Sequence, residues 1–409
     1  MHVLFLIHRY PPARGGSERF VQEMAQRLAA EGHQPEIYTS NVLDMEGFWR
    51  HGIAGVAPGV QIEAGVAVHR FPAHVLPLHG AVSRALGAVP WNPVGLTAAP
   101  PGLIMPGLWR AAQAAVKADI VYASAYPSLM YLGAVAASRS GARLILMPCL
   151  HPGLEGRSRQ QRYFLSRRLI RLYRQAEVII ALTESERRLL VDAGLPPERI
   201  HVSGAGIAPG DAAGADGDRF RRTYALADDE PVVTFIGHKT EGKGALDLLN
   251  ACQILLAERP ELTFALVGAP TPDFNRQYQT LSPRVRGRLL NLELSDAEKH
   301  DLLATSTMLV LPSCDDSFGI VLLEAWLHGK PVIGARAGGL PDVIDEQETG
   351  LLVPYGDVGS LAQAIGWLLD HPQQAAQMGS QGRQRTMAQW TWDAVYQRVR
   401  NTFEGEPGA

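Results

Sequence analysis

This chain of 409 residues has few cysteines and lacks long hydrophobic runs. No stretch approaches the roughly 18 uninterrupted apolar residues of a membrane span, and the first apolar run, Val3 to Ile7, is too short for a signal-peptide core. The chain has three cysteines, Cys149, Cys252 and Cys314, which are far apart, odd in number and without zinc-site spacing; this argues against both a disulfide scaffold and a zinc site. We therefore expect a cytoplasmic location, with peripheral contact to the inner face of the membrane as the alternative.

Charge is modest overall and unevenly distributed. Charged residues make up 19% of the chain and the net charge is -3, but residues 1–205 carry 21 basic and 14 acidic residues, a net +7. The remainder carries -10. A basic first half favours an anionic partner for that half. Neither half shows the interleaved basic and aromatic residues of a nucleic-acid surface, so we expect no nucleic-acid partner.

The chain is long enough for two domains, and apolar runs alternate with helical patterns in both halves. The predicted strands of the first half are Val3 to Ile7, Glu36 to Thr39, Ile120 to Ala123, Leu144 to Met147, Val178 to Leu182 and Ile200 to Val202. Those of the second half are Val232 to Ile236, Leu262 to Val267, Met308 to Leu311, Val332 to Gly334 and Leu351 to Val353. The fold class is therefore α/β, with two Rossmann-like, doubly wound parallel sheets.

The domain boundaries follow from these patterns. We predict a first domain over residues 1–205, a linker over 206–228 and a second domain over 229–389. The stretch Gly204 to Asp218 is rich in Gly, Ala, Asp and Pro and has no periodicity, which is typical of a linker. Ligands of such sheets bind beyond the carboxyl ends of the strands, so two facing domains leave a cleft between those ends.

The most informative segment runs from Pro312 to Ala325. It follows the buried strand Met308 to Leu311 and leads into a helix that begins near Phe318 and Gly319. A helix N-terminus offers free amides and partial positive charge, which suits a diphosphate. Asp316 and Glu324, with seven residues between them, can hold hydroxyl groups beside those amides. A sugar nucleotide carries both kinds of group.

A second segment, Gly237 to Gly244, also lies between a strand and a helix. It holds Lys239 and Lys243, two of only five lysines in the chain. A lysine ammonium beside a helix N-terminus provides a mobile positive charge for a diphosphate. The alternative, a capped turn with solvated lysines, is disfavoured by the neighbouring acidic segment.

These segments resemble the signature of glycosyltransferase family 4, retaining sugar-nucleotide-dependent enzymes of the GT-B architecture. Landmarks similar to that family run from Gly15-Gly16 to the stretch Thr349 to Pro354, about nine tenths of the chain. The resemblance implies two domains facing an interdomain cleft, with an acceptor-binding first domain, a nucleotide-sugar-binding second domain and a C-terminal helix, residues 390–409, that packs back on the first.

The resemblance also implies roles for individual residues. Glu324 matches the carboxylate that binds ribose hydroxyls, and Asp316 stands near the donor sugar where the family more often has glutamate. Lys243 matches the diphosphate lysine. His238 stands where arginine is usual, so His238 or Lys239 would replace that contact. The other residues implied to contact the donor are Gly15, Gly16, Gly237, Gly268, Phe318, Gly319 and Ile320.

His151 matches the family histidine beside the donor sugar, because it follows the strand Leu144 to Met147 at the end that faces the cleft. The predicted catalytic residues are therefore His151, Asp316 and Lys243. The alternative for His151 is a structural histidine. For Glu324 it is a solvated helix position, which its apolar neighbours disfavour.

The function implied is transfer of a hexosyl group, with retention, from a UDP- or GDP-sugar to a sugar, lipid-linked or small-molecule acceptor in polysaccharide, glycolipid or glycoside synthesis. We expect no metal or cofactor, because Asp216-Gly217-Asp218, a possible metal-nucleotide motif, falls in the linker. A sugar-nucleotide epimerase and a non-catalytic sugar-nucleotide-binding protein remain alternatives. The second is motivated by His238, Asp316 and Ala205.

Two regions interrupt the pattern of the first half. Residues 64–118 contain seven prolines and no acidic residue, and are interpreted either as an acceptor-binding or membrane-contacting insertion or as a loop packed on its own domain. The segment Arg157 to Arg174 holds seven arginines and no acid. It is interpreted as a helix that lies on anionic lipid or as the solvated face of a domain helix.

Overall fold

The computed structural model describes residues 1–48, 50, 52–75, 104–114, 117–150, 153 and 159–404. Two separate β-sheets dominate this part of the chain. The strands of the first are β1 His2–Leu6, β2 Gln34–Ser40, β3 Gly59–Glu63, β4 Val66–Phe71, β5 Ile120–Ser124, β6 Arg143–Met147, β7 Val178–Ala181 and β8 Ile200–Val202. Those of the second are β9 Val232–Ile236, β10 Thr263–Val267, β11 Leu289–Leu292, β12 Met308–Leu311, β13 Val332–Ala335 and β14 Gly350–Val353.

Helices connect these strands and cover the sheets. In the first half they are Gly16–Ala30, Pro106–Gln113, Pro127–Ser140, Arg159–Phe164, Arg167–Tyr173 and Glu184–Asp192. In the second half they are Gly217–Tyr224, Ala245–Glu258, Pro272–Thr280, Pro283–Arg286, Asp296–Thr305, Ile320–Leu327, Leu340–Val343, Val358–Asp370, Pro372–Gln389 and Trp392–Glu404. Short 3₁₀ helices occur at Met45–Phe48, Pro197–Arg199 and Pro209–Ala212.

Both sheets are built of parallel strands, apart from one edge. The first sheet has the order β3-β4-β2-β1-β5-β6-β7-β8, and the second the order β11-β10-β9-β12-β13-β14. The central strands are buried along almost their whole length, as parallel strands covered on both faces should be. The predicted α/β class with two parallel sheets is confirmed. One difference is β3, which pairs antiparallel with β4 and adds an exposed edge.

The C-terminal helix Trp392–Glu404 lies on the first sheet although it follows the second domain in sequence. Val395, Val399 and Phe403 are fully buried in the same core cluster as Val3 and Phe5 of β1. The stretch predicted as a linker also contains regular structure, because the helix Gly217–Tyr224 packs against Asp296–Thr305.

The two interrupting regions are described in part. Residues 76–103 of the proline-rich region lie outside the described residues, while Leu108 and Ala112, in the helix Pro106–Gln113, are buried in the core of the first domain. The arginine helix, Arg167–Tyr173, buries its apolar side chains and exposes its arginines. Its apolar face is therefore used within the domain. No helix in the described part of the chain is both long and apolar enough to cross a bilayer.

Candidate functional site

A cleft opens between the carboxyl ends of the two sheets, with a main cavity of about 910 Å³. The first domain lines it with residues that include His8, Gly16 and Tyr126. From the second domain come Gly237, His238, Lys243, Asp316 and the run Ser317 to Val321. Parallel strands of each domain end at this edge, so the loops that follow them meet in the cleft.

Lys243 and Asp316 form an ion pair inside this cavity. The Lys243 Nζ lies 2.7 Å from Asp316 Oδ1, and the two side chains are 24% and 16% exposed. The second oxygen, Asp316 Oδ2, is buried and has no hydrogen-bond partner among the described residues. The pair therefore offers an incoming ligand a positive charge and an unused acceptor oxygen side by side.

Two helix N-termini meet in the same place. The helix Ile320–Leu327 begins after Gly319, whose φ of 83° is a left-handed conformation that glycine adopts without strain. The helix Gly16–Ala30 begins across the cleft, where a side-chain carbon at Gly16 would lie 2.9 Å from Ile320 Cδ1. Each N-terminus carries unpaired amides and about half a positive charge. The arrangement is a binding site for an anion with several oxygens.

A second cavity of about 710 Å³ adjoins the first and shares Gly16, Ile320 and Val321 with it. Glu324 lines it, and its Oε1 accepts a hydrogen bond of 2.6 Å from Lys299 Nζ. Burial is the largest single influence and would lower the pKa of Lys299, but the charge and hydrogen bond of Glu324, together with Asp296, outweigh it and raise that pKa. Glu324 Oε2 is buried and has no hydrogen-bond partner among the described residues, so one oxygen can still accept from a ligand hydroxyl.

Lys239 is not brought together with the other predicted residues. Its side chain is 1% exposed, and its Nζ donates to Asn291 Oδ1 at 2.5 Å and to the Leu292 carbonyl at 3.1 Å. Burial lowers the pKa of Lys239 to about 8. Lys239 therefore ties its loop to the end of β11, and the neighbouring His238 is the residue that lines the cleft.

The remaining predicted residues take supporting positions. Gly268 lies behind Gly237, since a side-chain carbon at Gly268 would lie 2.2 Å from the Gly237 carbonyl oxygen. Phe318 is 4% exposed and packs its ring edge-on against Trp390, so only its backbone is available to a ligand. Gly15 lines the second cavity. His151 lies outside the described residues.

The linker aspartates, Asp216 and Asp218, begin a helix. Asp216 caps Gly217–Tyr224 by accepting from the Arg219 amide, and its carboxylate also lies within 4.0 Å of the Arg219 guanidinium. Asp218 follows in the first turn.

Sequence reasoning missed a buried cluster under the first-domain wall. Glu18, which is 1% exposed, lies 2.6 Å from Arg9 Nη2 and 3.3 Å from His8 Nε2. Burial alone would raise the pKa of Glu18, but the hydrogen bond with His8 and the Arg9 charge hold it at about 2. His8 also packs its ring against Tyr126. The position of His8 just after the first strand was the one sequence feature that could have indicated a residue at the cleft.

Two family models match the chain. One, described as a glycosyl transferase 4-like domain, matches residues 15–206, and the other, described as glycosyl transferases group 1, matches residues 216–385. The chain belongs to the family 4 glycosyltransferases. The match to the second model spans the Lys243 and Asp316 loops and Glu324, so the family's sequence pattern extends over the site described above.

Individual relatives of this family 4 member are also named as glycosyltransferases. A D-inositol 3-phosphate glycosyltransferase of Acidothermus cellulolyticus is 34% identical over 48% of this chain and 46% of its own. One from Streptomyces scabiei is 28% identical over 90% of this chain and 81% of its own. The chain spans about half the length of the first curated relatives it matches, with 46% to 56% of each covered.

Among solved structures, Anabaena Alr3699/HepE in complex with UDP has a TM-score of 0.75 and 21% identity. The match covers 99% of this chain and 100% of that one. At this identity the likeness concerns the fold, and it identifies the two-domain α/β arrangement as GT-B.

Proposed function

We propose that the protein is a retaining hexosyltransferase that uses a nucleotide-sugar donor. The observation that carries the proposal is the meeting, in one interdomain cleft, of two helix N-termini with the Lys243–Asp316 pair. In this proposal the diphosphate lies at Gly16 and Ile320, where the two cavities join. The donor sugar then extends into the larger cavity beside Asp316. The ribose extends into the smaller one beside Glu324.

Lys243 and the helix amides neutralise the charge that develops on the leaving diphosphate. The bond between the sugar C1 and the phosphate oxygen breaks, and the acceptor oxygen forms its bond to C1 on the same face. The acceptor proton passes to the departing phosphate oxygen. The protein contributes position and electrostatic stabilisation, the usual source of rate when no protein nucleophile takes part.

The donor base is proposed to be uracil or guanine, and the acceptor a sugar, a lipid-linked sugar or a small alcohol. The structure of Anabaena HepE with UDP supports a uridine nucleotide as the first to test. The proposed reaction needs no divalent metal, because lysine and helix N-termini take the place of a cation at the diphosphate.

The experiment is a donor and acceptor panel with product analysis. Purified protein is incubated with UDP-, GDP- and ADP-sugars in the presence of excess chelator, and products are identified by NMR. We expect one donor class to react and the new glycosidic bond to keep the donor's anomeric configuration. Inversion would contradict the retaining mechanism, isomerised donor without transfer would indicate an epimerase, and tight nucleotide binding without any reaction would indicate a binding protein.

A further inference from the structure

Glu186 is a buried carboxylate that the proposed reaction does not use. It lies in the first turn of the helix Glu184–Asp192 and is 0% exposed. Its Oε1 accepts from the amide of Leu150 and its Oε2 from the amide of Leu182, both at 2.7 Å. Leu150 follows β6 and Leu182 follows β7, so one side chain ties together two neighbouring turns at the cleft edge of the first sheet.

The second domain contacts the Leu150 turn from the other side of the cleft. Ser317 Oγ donates to the Leu150 carbonyl at 2.7 Å, and Ser317 lies between Asp316 and the amides that begin the helix Ile320–Leu327. Leu150 is therefore fixed at its amide by Glu186 and at its carbonyl by the loop that carries Asp316. This hydrogen bond joins the two walls of the cleft directly.

A second contact joins the same helix to the second domain. The Ser185 amide donates to Asp342 Oδ2 at 2.6 Å, and Arg188 Nη2 lies 3.4 Å from Asp342 Oδ1. The first turn of this helix thus faces both ways, with Glu186 directed to the first-domain wall and Ser185 to the second domain. A shift of this turn would displace both sides of the cleft.

We infer that Glu186 is a positioning residue, which holds the Leu150 turn so that Ser317 can bind it and keep Asp316 at the distance from the acceptor side that transfer requires. The inference rests on the proposed function. Glutamine cannot replace Glu186 fully, because its oxygen can accept from one amide while its NH₂ group would oppose the other. Donor binding depends on Lys243 and Glu324 in the second domain, so Glu186 should affect turnover more than donor affinity.

The protonation of Glu186 provides an independent readout. Burial raises the pKa of Glu186 to about 7, although its hydrogen bonds with the Leu182 and Leu150 amides oppose the shift. Among the described residues, the titratable groups that interact with it are Cys149, Tyr122 and Tyr173, whose pKa values burial raises so that they stay neutral in this range. As the pH falls through about 7, Glu186 gains a proton and loses acceptor capacity, so kcat should fall on the acidic side.

Stability should change in the opposite direction. Because the folded state raises the pKa of Glu186 from 4.5 to about 7, its contribution to stability is full below 4.5 and is lost as the pH rises through 7. A fall in kcat at pH 6 that accompanies equal or greater thermal stability therefore cannot be general unfolding.

The test compares Glu186→Gln with wild type and with Glu184→Gln, a matched control two residues away whose carboxylate pairs only with Arg187 among the described ion pairs. We expect Glu186→Gln to lower kcat about tenfold or more at pH 8, a size typical of misplaced reacting groups, with donor KM within about twofold. Its pH profile should lack the acidic limb near pH 7. Glu184→Gln should match wild type.

Ser317→Ala keeps the test decisive if Glu186→Gln folds poorly, because it removes only the hydroxyl that crosses the cleft. It should also lower kcat while nucleotide affinity is kept. The kcat of the variant that carries both Glu186→Gln and Ser317→Ala should equal that of the less active single variant. Wild-type kcat and pH profile in both variants would overturn the inference and leave the proposed function intact. Absence of transfer by the wild type with every donor would overturn both.

Discussion

Replacement of Lys243 by alanine tests the centre of the proposed donor site. The change removes the Lys243 ammonium, which pairs with Asp316 inside the cavity. A hydrogen bond to a charged group contributes about 1.5–3 kcal/mol, which corresponds to about a ten- to 150-fold loss in affinity for the nucleoside diphosphate. We expect the upper part of this range, because the Asp316 carboxylate would lose the one ionic partner that it has among the described residues and would repel the diphosphate.

The design separates the lost contact from the exposed charge. Isothermal titration with UDP and GDP is carried out on Lys243→Ala, on Asp316→Asn and on the double variant, in which part of the lost affinity should return. Lys117→Ala is the matched control, since Lys117 is exposed and lies near His2 at the opposite end of the first sheet. Thermal unfolding should show that every variant folds. Wild-type affinity and turnover in Lys243→Ala would refute this placement of the diphosphate.

Other predictions address ribose, metal, lipid and protons. Glu324→Ala should weaken UDP binding about tenfold or more, measured by the same titration, and unchanged affinity would remove Glu324 from the site. Turnover in excess chelator should equal turnover with added manganese, whereas activity that requires manganese would favour the linker aspartates. Anionic vesicles should bind the arginine helix by charge alone, and sedimentation should show less binding at high salt and after three changes to Gln, at Arg167, Arg168 and Arg171. Burial lowers the pKa of His328 from 6.5 to about 4, so the free energy of unfolding should fall as the pH drops between these values, and His328→Gln should reduce that fall in urea titrations.

Burial explains which strands could be predicted from the sequence. β9 and β12 lie in the middle of the second sheet, are buried on both faces and appear in the sequence as continuous apolar runs. β3 is an exposed edge strand that pairs antiparallel, and β11 is a partly buried edge strand that pairs parallel. The residues of β3 are almost all exposed, so no buried apolar run marks it, and the apolar residues of β11 form a run of only four residues that Asn291 interrupts.

Local spacing explains what could be predicted of the site. Asp316, Glu324 and Lys243 lie in short loops and a helix whose geometry follows from nearby residues. Glu186 and Lys299 act on partners that lie 36 and 25 residues away, so no local pattern indicates them. They required the packed structure.

The prediction for Lys239 shows the limit of local spacing most clearly. Of these two adjacent residues, His238 lines the cleft and Lys239 does not. Lys239 forms a parallel bridge with Pro270, and its side chain enters the space beside β11. There the Lys239 ammonium donates a hydrogen bond to Asn291 Oδ1. The sequence shows two adjacent basic residues, and the packing of the β11 edge decides which of them can meet a ligand.

Charge balance at the cleft favours amide hydrogen bonds over net charge as the means of holding a diphosphate. Lys243 contributes one positive charge that Asp316 largely cancels, while the two helix N-termini contribute about half a charge each. The amides can act together only if the helices approach closely. A Cβ at Gly16 would lie 2.9 Å from Ile320 Cδ1, so the first-domain helix begins close against the side chain that begins the second-domain helix. Gly16 lines both cavities and therefore takes part in the proposed donor site through its backbone, although it carries no functional group.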